Sequence, residues 1–171
     1  MEKARIIVLT GSGKGKTTSA VGMILRAVAY GKTVLLIRFC KTAFSGELAI
    51  LETLPGVAIR QGSCGMTPPP DHPQYGEHVQ CARALFAATE EAAPGFDMIV
   101  MDEICGVTAR NMIDEVAVVK FLLALRTDQT CILTGRGAGP AIIDVADTVS
   151  EIQCVKHGYQ AGISAQEGVE K

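Results

Sequence analysis

A chain of 171 residues is long enough for one well-packed domain and too short for two comfortable ones. Its net charge of -2, without a basic run, does not indicate a nucleic-acid-binding surface. Its most apolar long stretch, 20–30, is too short to span a bilayer. We expect a cytoplasmic protein of one domain, 1–171, with neither nucleic acid nor membrane among its partners.

Short apolar runs alternate along the chain with longer helix-like segments. The short runs are rich in Val, Ile and Leu without polar alternation, which is typical of strands covered on both faces. The predicted strands are 5–10, 33–39, 57–61, 96–101, 130–134 and 148–155. The predicted helices are 16–30, 47–54, 77–92, 112–125 and 140–146. This order predicts an α/β fold with a mostly parallel six-stranded sheet and helices on both faces.

The segment 62–75 fits this scheme poorly, because it is a long loop with Pro68, Pro69 and Pro70 at its centre. Long loops over a compact core are usually lids or binding loops, or else are merely mobile. Ligands of parallel α/β sheets lie beyond the carboxyl ends of the strands. Functional residues are therefore expected where the predicted strands end.

The first predicted strand leads into a glycine-rich loop that a helix follows. The loop consists of Gly11, Ser12, Gly13, Lys14, Gly15, Lys16, Thr17 and Thr18. Its glycines let consecutive backbone N–H groups point into one concavity, and the new helix adds the positive end of its dipole. Lys16 is expected to reach the phosphates, and the Thr17 hydroxyl to bind Mg²⁺. The pattern predicts a P-loop for the triphosphate of Mg-ATP, on a P-loop NTPase fold of the RecA-like type.

One detail departs from the general P-loop pattern. Thr10 stands where that pattern has its first glycine, so the loop counted from Gly11 is one residue short. Lys14 also adds a second ammonium within the loop. We therefore interpret the loop as a specialised P-loop.

Two further strand ends supply charged side chains. Asp102 and Glu103 follow an apolar strand, as in a Walker B motif, and are candidate metal ligands beside Thr17. Arg136 follows the next strand and either clamps a phosphate or pairs with a surface acid. Apart from Glu103 no side chain is an evident general base, and the three histidines lie in no catalytic motif. The site is predicted to hold a triphosphate rather than to cut one.

The six cysteines are spread through the chain without a C-x-x-C pair, and no signal peptide precedes the first predicted strand. They are Cys40, Cys64, Cys81, Cys105, Cys131 and Cys154. We expect reduced thiols that are mostly small core hydrophobes rather than metal ligands or nucleophiles.

Several short motifs occur in order along the chain. They are 10–18 around the phosphate loop, Arg26-Ala27, Arg-Phe-Cys-Lys at 38–41, Asp102-Glu103, Thr-Gly-Arg-Gly at 134–137, Ala-Asp-Thr-Val-Ser-Glu at 146–151, Val-Lys-His at 155–157 and Ala-Gln-Glu-Gly-Val-Glu at 165–170. Together they resemble the P-loop type of ATP:corrinoid adenosyltransferase, over nearly the whole chain from Arg5 to Glu170. The short loop and the segment 146–151 are far more specific than a Walker motif.

The resemblance implies a reaction in which a reduced corrinoid, with cobalt as Co(I), attacks the 5′ carbon of ATP and expels the whole triphosphate. The nucleophile is then the metal of the substrate itself, which explains why no protein base is evident. The implied site residues are Lys14, Lys16 and Arg136 for catalysis, 11–18 and Arg26 for ATP, and Thr17, Asp102 and Glu103 for Mg²⁺. The resemblance also implies a homodimer, with ATP, a corrinoid (cobalamin, cobinamide or a precursor) and an electron donor such as a flavoprotein as partners.

The sequence departs from the family mostly on the corrinoid side. Where the family has Gly-Phe-Thr-Trp, whose aromatic rings pack against the corrinoid, this chain has Gly65-Met66-Thr67-Pro68. Met66, Thr67 and Pro68 are therefore the expected corrinoid-facing residues. Arg38 replaces a glutamine and Thr42 replaces a glycine of the family pattern, only 1–4 precede the first strand, and the tail lacks an aromatic end.

We interpret the chain as a divergent adenosyltransferase, and two alternatives stay open. One is a P-loop ATPase or kinase on the same scaffold, in which Glu103 would orient a water or an acceptor. The other is a non-catalytic relative that binds ATP or a corrinoid as a carrier or sensor.

Overall fold

Six strands form one sheet in the computed structural model, which describes residues 3–43 and 45–169. They are β1 (Arg5–Thr10), β2 (Val34–Arg38), β3 (Val57–Gln61), β4 (Met98–Asp102), β5 (Thr130–Thr134) and β6 (Thr148–Glu151). Their order is β3-β2-β4-β5-β1-β6, and every neighbouring pair is parallel. The predicted α/β fold with a parallel six-stranded sheet is confirmed, and all strands end at the same edge.

Helices cover both faces of the sheet. They are α1 (Lys16–Ala29), α2 (Gly46–Leu51), α3 (Tyr75–Ala92), α4 (Ile104–Ala109), α5 (Glu115–Ala124) and α6 (Pro140–Val145). Helices α1 and α2 pack on one face, where Ile24 and Leu51 join Leu36 of β2 in a buried cluster. On the other face Phe86 of α3 and Phe121 of α5 meet edge to face at 5.7 Å. Within the described ranges, no helix combines the length and apolarity that a membrane crossing requires.

Helix boundaries differ from the predicted ones where a cap or the core decides them. Helix α5 begins at Glu115 rather than at 112, because the Asp114 carboxylate accepts a hydrogen bond from the Val116 amide at 2.9 Å. Met112 and Ile113 lie buried in the connection before α5, so their apolar character reflects core packing. Helix α4 is absent from the prediction, because it has only six residues and contains a glycine that hides its periodicity.

Strand β6 ends at Glu151, so the predicted extension to 155 is wrong. Ile152 leaves the sheet and packs against the loop that follows β1. Its amide donates a hydrogen bond to the Thr10 carbonyl at 2.9 Å, and its carbonyl accepts one from the Gly13 amide at 2.7 Å. The chain after β6 therefore braces the phosphate loop.

The six cysteines fall into three groups of two, of which Cys40 and Cys154 are free and half-buried. Cys105 and Cys131 are fully buried, and burial raises the pKa of the Cys105 thiol to about 12, as expected of inert core thiols. Cys64 and Cys81, by contrast, are paired as a disulfide, so the prediction of reduced thiols throughout is wrong for this pair. The pair joins the loop after β3 to α3, two segments that the fold brings together although the cysteines are 17 positions apart in the chain.

Candidate active site

A cavity of about 790 Å³ lies at the carboxyl edge of the sheet, within the size range of small-molecule sites. Residues 12–18 of the phosphate loop line one side of it, whereas Gly11 is not among the lining residues, and the segment after β2 lines another side. Glu103 and Arg136 line it at the ends of β4 and β5, while His157 and Val169 reach it from the C-terminal tail. Glu170 and Lys171, which follow in the tail, lie outside the described residues.

The phosphate loop positions Lys16 at the start of α1. Gly15 has a φ of 114°, a conformation that a side chain rarely adopts, and it turns the chain into the helix. Lys16 is buried, and its ammonium donates a hydrogen bond to the Gly13 carbonyl at 2.7 Å. Burial lowers the pKa of Lys16 below its ordinary value, and the negative charge of Glu103 offsets part of this lowering. The charge of Lys16 is thus held at a site where an anionic ligand would stabilise it.

The glycines of the loop also serve a packing role. A Cβ atom at Gly13 would lie 2.8 Å from the carbonyl oxygens of both Ile152 and Gln153, and one at Gly11 would collide with the backbone of Ile152. The loop therefore lies directly against the chain after β6. This packing of the loop requires glycine at both positions.

Replacing Gly13 by alanine tests this packing. We expect Gly13→Ala to lower the free energy of unfolding by about 1–3 kcal/mol, the usual cost of overpacking, and to weaken ATP binding because the loop must move. The matched control is Gly22→Ala in α1, where an added Cβ meets nothing within 4 Å. Chemical denaturation and calorimetric titration with ATP measure both quantities. Normal stability and ATP affinity of Gly13→Ala would refute the packing role.

Two of the three candidate metal ligands meet where α1 begins and β4 ends. The Thr17 hydroxyl donates to one carboxylate oxygen of Asp102 at 2.9 Å, and the Thr134 hydroxyl donates to the same oxygen at 2.7 Å. Asp102 is buried with 1% of its surface exposed. In the described part of the chain, no three His, Cys, Asp or Glu side chains form a metal-binding cluster by themselves. A hydroxyl and a carboxylate nevertheless fit Mg²⁺, which keeps several water or phosphate ligands.

Glu103 occupies a different position from Asp102. Its backbone has a φ of 68°, and its amide donates to the Thr134 hydroxyl at 3.0 Å. The residue is the N-cap of α4, and it lines the cavity without joining the Thr17 hydrogen bonds. The structure therefore brings Asp102 to Thr17, and leaves Glu103 beside them.

The other residues predicted to bind ATP divide between the cavity and the far end of α1. Thr18 and Arg136 line the cavity, as does Lys14, whose ammonium donates to the Val169 carbonyl of the tail at 2.8 Å. Arg26 is exposed in the last turn of α1, roughly 15 Å along the helix from Lys16. Arg26 is thus not brought to the cavity, because the helix that starts at the loop runs away from it.

The three expected corrinoid-facing residues also differ in placement. Met66 lines the cavity, and 89% of its surface is exposed. Thr67 is buried, and its hydroxyl lies 3.0 Å from the Cys40 sulfur and 3.8 Å from the Met112 sulfur. Pro68 is not among the residues that line the cavity. Thr67 therefore anchors the loop to the core, and Met66 presents the apolar surface.

Two of the lysines and arginines that line the cavity were not assigned a role from the sequence. Arg38 ends β2 and is buried, and its guanidinium donates to the Gln61 side chain at 3.0 Å. Lys41 donates to Asp102 at 2.6 Å. Both lie in the motif 38–41, but only the fold brings them to the phosphate loop. Among the described residues the cavity is lined by five cations and two acids: Lys14, Lys16, Arg38, Lys41 and Arg136, with Glu47 and Glu103. The local charge favours an anionic ligand although the whole chain is slightly acidic.

Replacing Arg38 tests whether the positive charge of the cavity contributes to ATP binding. We expect Arg38→Gln to weaken ATP binding about 10- to 100-fold, which is the worth of one charge-assisted hydrogen bond. Arg60→Gln is the matched control, because Arg60 is exposed and donates to the Ala88 carbonyl outside the cavity. Calorimetric titration with ATP gives both affinities. Equal affinities of Arg38→Gln and the unaltered protein would show that Arg38 does not contact the nucleotide.

The fold and the loop define a P-loop protein of the RecA-like type. In agreement, the KaiC-like protein PH0186 of Pyrococcus horikoshii superposes with a TM-score of 0.54 at 18% identity, covering 91% of this chain and 74% of that one. The family model of ATP:corrinoid adenosyltransferase BtuR/CobO/CobP matches residues 2–170, and the chain belongs to this family.

Named relatives agree with the family model along the whole chain. The corrinoid adenosyltransferase CobA of Salmonella typhimurium is 38% identical over 170 residues, covering 99% of this chain and 86% of the relative. A corrinoid adenosyltransferase of Pseudomonas aeruginosa is 36% identical over 171 residues, covering 99% of this chain and 84% of the relative. The resemblance inferred from the short motifs is thereby confirmed.

Proposed function

We propose that this protein transfers the 5′-deoxyadenosyl group of ATP to the Co(I) of a corrinoid and releases inorganic triphosphate. Co(I) supplies the electron pair of the new cobalt–carbon bond, and the C5′–oxygen bond breaks with its electrons leaving on the triphosphate. The main support is the cavity, which joins a short P-loop and a cluster of cations to the exposed apolar side chain of Met66. One side suits an anionic leaving group, and the other suits a large apolar substrate.

The cations of the cavity provide the electrostatic part of this chemistry. Lys16, Arg136 and the loop amides would neutralise the charge that develops on the departing triphosphate. Such stabilisation is strong because Lys16 is already desolvated in the protein and needs little rearrangement. The remaining task of the protein is to hold C5′ in line with the cobalt and to exclude water.

Further parts of the proposal concern the metal, the assembly and the partners. Thr17 and Asp102, with Glu103 nearby, would hold Mg²⁺, which neutralises phosphate charge when it is bound. We also propose a cytoplasmic homodimer that receives electrons from a donor such as a flavoprotein. The corrinoid would be cobalamin, cobinamide or a precursor.

A second candidate function is hydrolysis or transfer of the terminal phosphate. The observation that favours it is Glu103, a carboxylate at the cavity wall that is placed to orient a water or an acceptor. The products distinguish the two functions, because an ATPase releases inorganic phosphate whether or not a corrinoid is present.

The experiment is anaerobic. The protein is mixed with Mg-ATP and chemically reduced cob(I)alamin or cobinamide, and the corrinoid spectrum is followed while inorganic triphosphate and phosphate are assayed. We expect a light-sensitive adenosylcorrinoid and triphosphate in equal amounts. Phosphate release without corrinoid would support the ATPase instead, and tight corrinoid binding without turnover would indicate a carrier.

The Met66 loop provides a test of the corrinoid side. We expect Met66→Phe combined with Pro68→Trp to increase the rate of Co(II) reduction, because flat aromatic faces pack against a corrinoid ring better than Met and Pro. The control is Met66→Leu, which keeps the apolar character without an aromatic ring. The measurement is the rate of adenosylcorrinoid formation from Co(II) with a fixed reductant. An unchanged rate would mean that another segment covers the corrinoid.

A further inference from the structure

The Lys41 side chain lies between the two residues proposed to hold the metal ion. Its ammonium is 2.6 Å from one carboxylate oxygen of Asp102 and 3.1 Å from the Thr17 hydroxyl oxygen. The other carboxylate oxygen of Asp102 accepts from Thr17 itself. Lys41, Thr17 and Asp102 thus form a closed triangle of polar contacts that joins the start of α1, the end of β4 and the segment after β2.

A buried carboxylate explains why a lysine occupies this position. Asp102 is 1% exposed, and a buried charge without a partner is costly, so the fold must supply a cation. Lys41 follows Cys40, whose φ of 54° turns the chain as it leaves β2 beside β4. The Lys41 side chain is 29% exposed, so its ammonium has a route from Asp102 into the cavity that it lines.

The metal ion and the Lys41 ammonium require the same oxygen atoms. Mg²⁺ binds its oxygen ligands at about 2.0–2.1 Å and would need a lone pair of Thr17 and a carboxylate oxygen of Asp102. An ammonium within hydrogen-bonding distance of both residues repels a divalent ion and uses those lone pairs. The two cations therefore compete, and only one of them can bind these oxygens fully.

We propose that Lys41 is a positioning residue that acts as an exchangeable counter-ion of Asp102, displaced by the metal ion when the metal arrives with the nucleotide. The displaced ammonium then contacts the triphosphate beside Lys16 and Arg136, in the cavity that all three side chains line. The exchange makes metal binding depend on the nucleotide, because only a triphosphate gives the Lys41 ammonium a new negatively charged partner in place of Asp102. This inference rests on the proposed assignment of Thr17 and Asp102 to Mg²⁺.

The test measures metal affinity and needs no turnover. Mn²⁺ replaces Mg²⁺, and its binding is followed by electron paramagnetic resonance with and without ATP. For Lys41→Met without ATP, we expect Mn²⁺ affinity to rise about 10-fold or more over the unaltered protein, the scale on which neighbours of metal ligands change metal affinity. Lys41→Arg keeps the positive charge and should keep the affinity low.

A matched control separates this exchange from general electrostatics. Lys14→Met removes a cation from the same cavity without removing a contact of Thr17 or Asp102, so it should raise Mn²⁺ affinity much less. Circular dichroism verifies that each variant is folded, and Lys41→Gln replaces Lys41→Met if the latter is not. The inference would be overturned if Lys41→Met, or Lys41→Gln in its place, bound Mn²⁺ no more tightly than the unaltered protein. It would also be overturned if Lys14→Met gave an equal rise in affinity.

The proposed function can fail separately from this inference. Asp102→Asn with ATP present tests the metal assignment alone. If Asp102→Asn binds Mn²⁺ with ATP as tightly as the unaltered protein does, Asp102 is not a metal ligand and both proposals about the metal fall. If it binds Mn²⁺ weakly while Lys41→Met shows no gain, the metal site stands and only the exchange is wrong.

Discussion

Replacement of Lys16 by alanine is expected to lower turnover about 10²- to 10³-fold, equivalent to about 3–4 kcal/mol of lost transition-state stabilisation. Lys16 is the first residue of α1 and lies buried in the cavity. Under the proposed function it would neutralise the leaving triphosphate. Single-turnover formation of adenosylcorrinoid measures the chemical step. The control is Lys32→Ala, an exposed lysine whose partner is Asp97 at 3.7 Å, for which normal rates are expected. Normal turnover of Lys16→Ala would show that the phosphate site is assigned incorrectly.

The lowered pKa of Lys16 adds a pH dependence to this result. Because burial favours the neutral amine, Lys16 loses its proton at a lower pH than an ordinary lysine, whose pKa is 10.5. An anionic triphosphate binds the charged form, so ATP affinity should fall as the pH rises through this lowered pKa. Lys16→Arg should not show that alkaline loss, because the guanidinium stays charged. Titrations with ATP at increasing pH measure the effect. Identical dependence of ATP affinity on pH in the unaltered protein and in Lys16→Arg would contradict it.

Asp102→Asn is expected to have the second large effect, on both metal binding and stability. The variant removes the carboxylate that accepts from Thr17, Thr134 and Lys41. We expect metal-dependent activity to fall about 10²-fold or more, on the scale of one lost electrostatic contact in an active site. The free energy of unfolding should fall by about 1–3 kcal/mol, since Lys41 loses its charged partner but can turn toward water. Denaturation curves and metal titrations of the activity measure the two effects.

Glu103→Gln is the comparison for Asp102→Asn. Glu103 lines the cavity, whereas the Thr17 hydroxyl is hydrogen-bonded to Asp102 and Lys41. Loss of the Glu103 charge should therefore weaken metal-dependent activity less and leave stability nearly unchanged. An unchanged metal dependence in Glu103→Gln would leave Asp102 as the one carboxylate ligand. Equal losses in both variants would contradict the different positions of the two side chains.

The strands and the phosphate loop were predictable because their signals are local. A buried parallel strand needs an uninterrupted apolar run, and Val34 to Ile37 provide one without help from distant residues. The boundaries were less predictable where a contact outside the segment decides them. Asp114 caps α5 after two apolar residues that belong to the core, and Ile152 leaves β6 because it binds Thr10 and Gly13.

The candidate site divides in the same way. Lys16, Thr17 and Asp102 lie in motifs whose spacing carries their chemistry, whereas Arg26 has no such spacing, and the fold leaves it at the far end of α1. Thr67 was expected to face the corrinoid, but its hydroxyl lies against two sulfur atoms of the core. Such a position depends on which side of a loop packs inward, and the loop sequence alone does not specify that.

The parallel α/β fold, the P-loop and the family could be inferred without coordinates, because they depend on apolar runs and on residues close together in the chain. Only the tertiary structure placed Lys41 against Asp102, Arg38 in the cavity and Cys64 beside Cys81. These contacts join residues far apart in the chain. Their formation depends on the order and packing of the strands, which bring distant segments to one edge of the sheet.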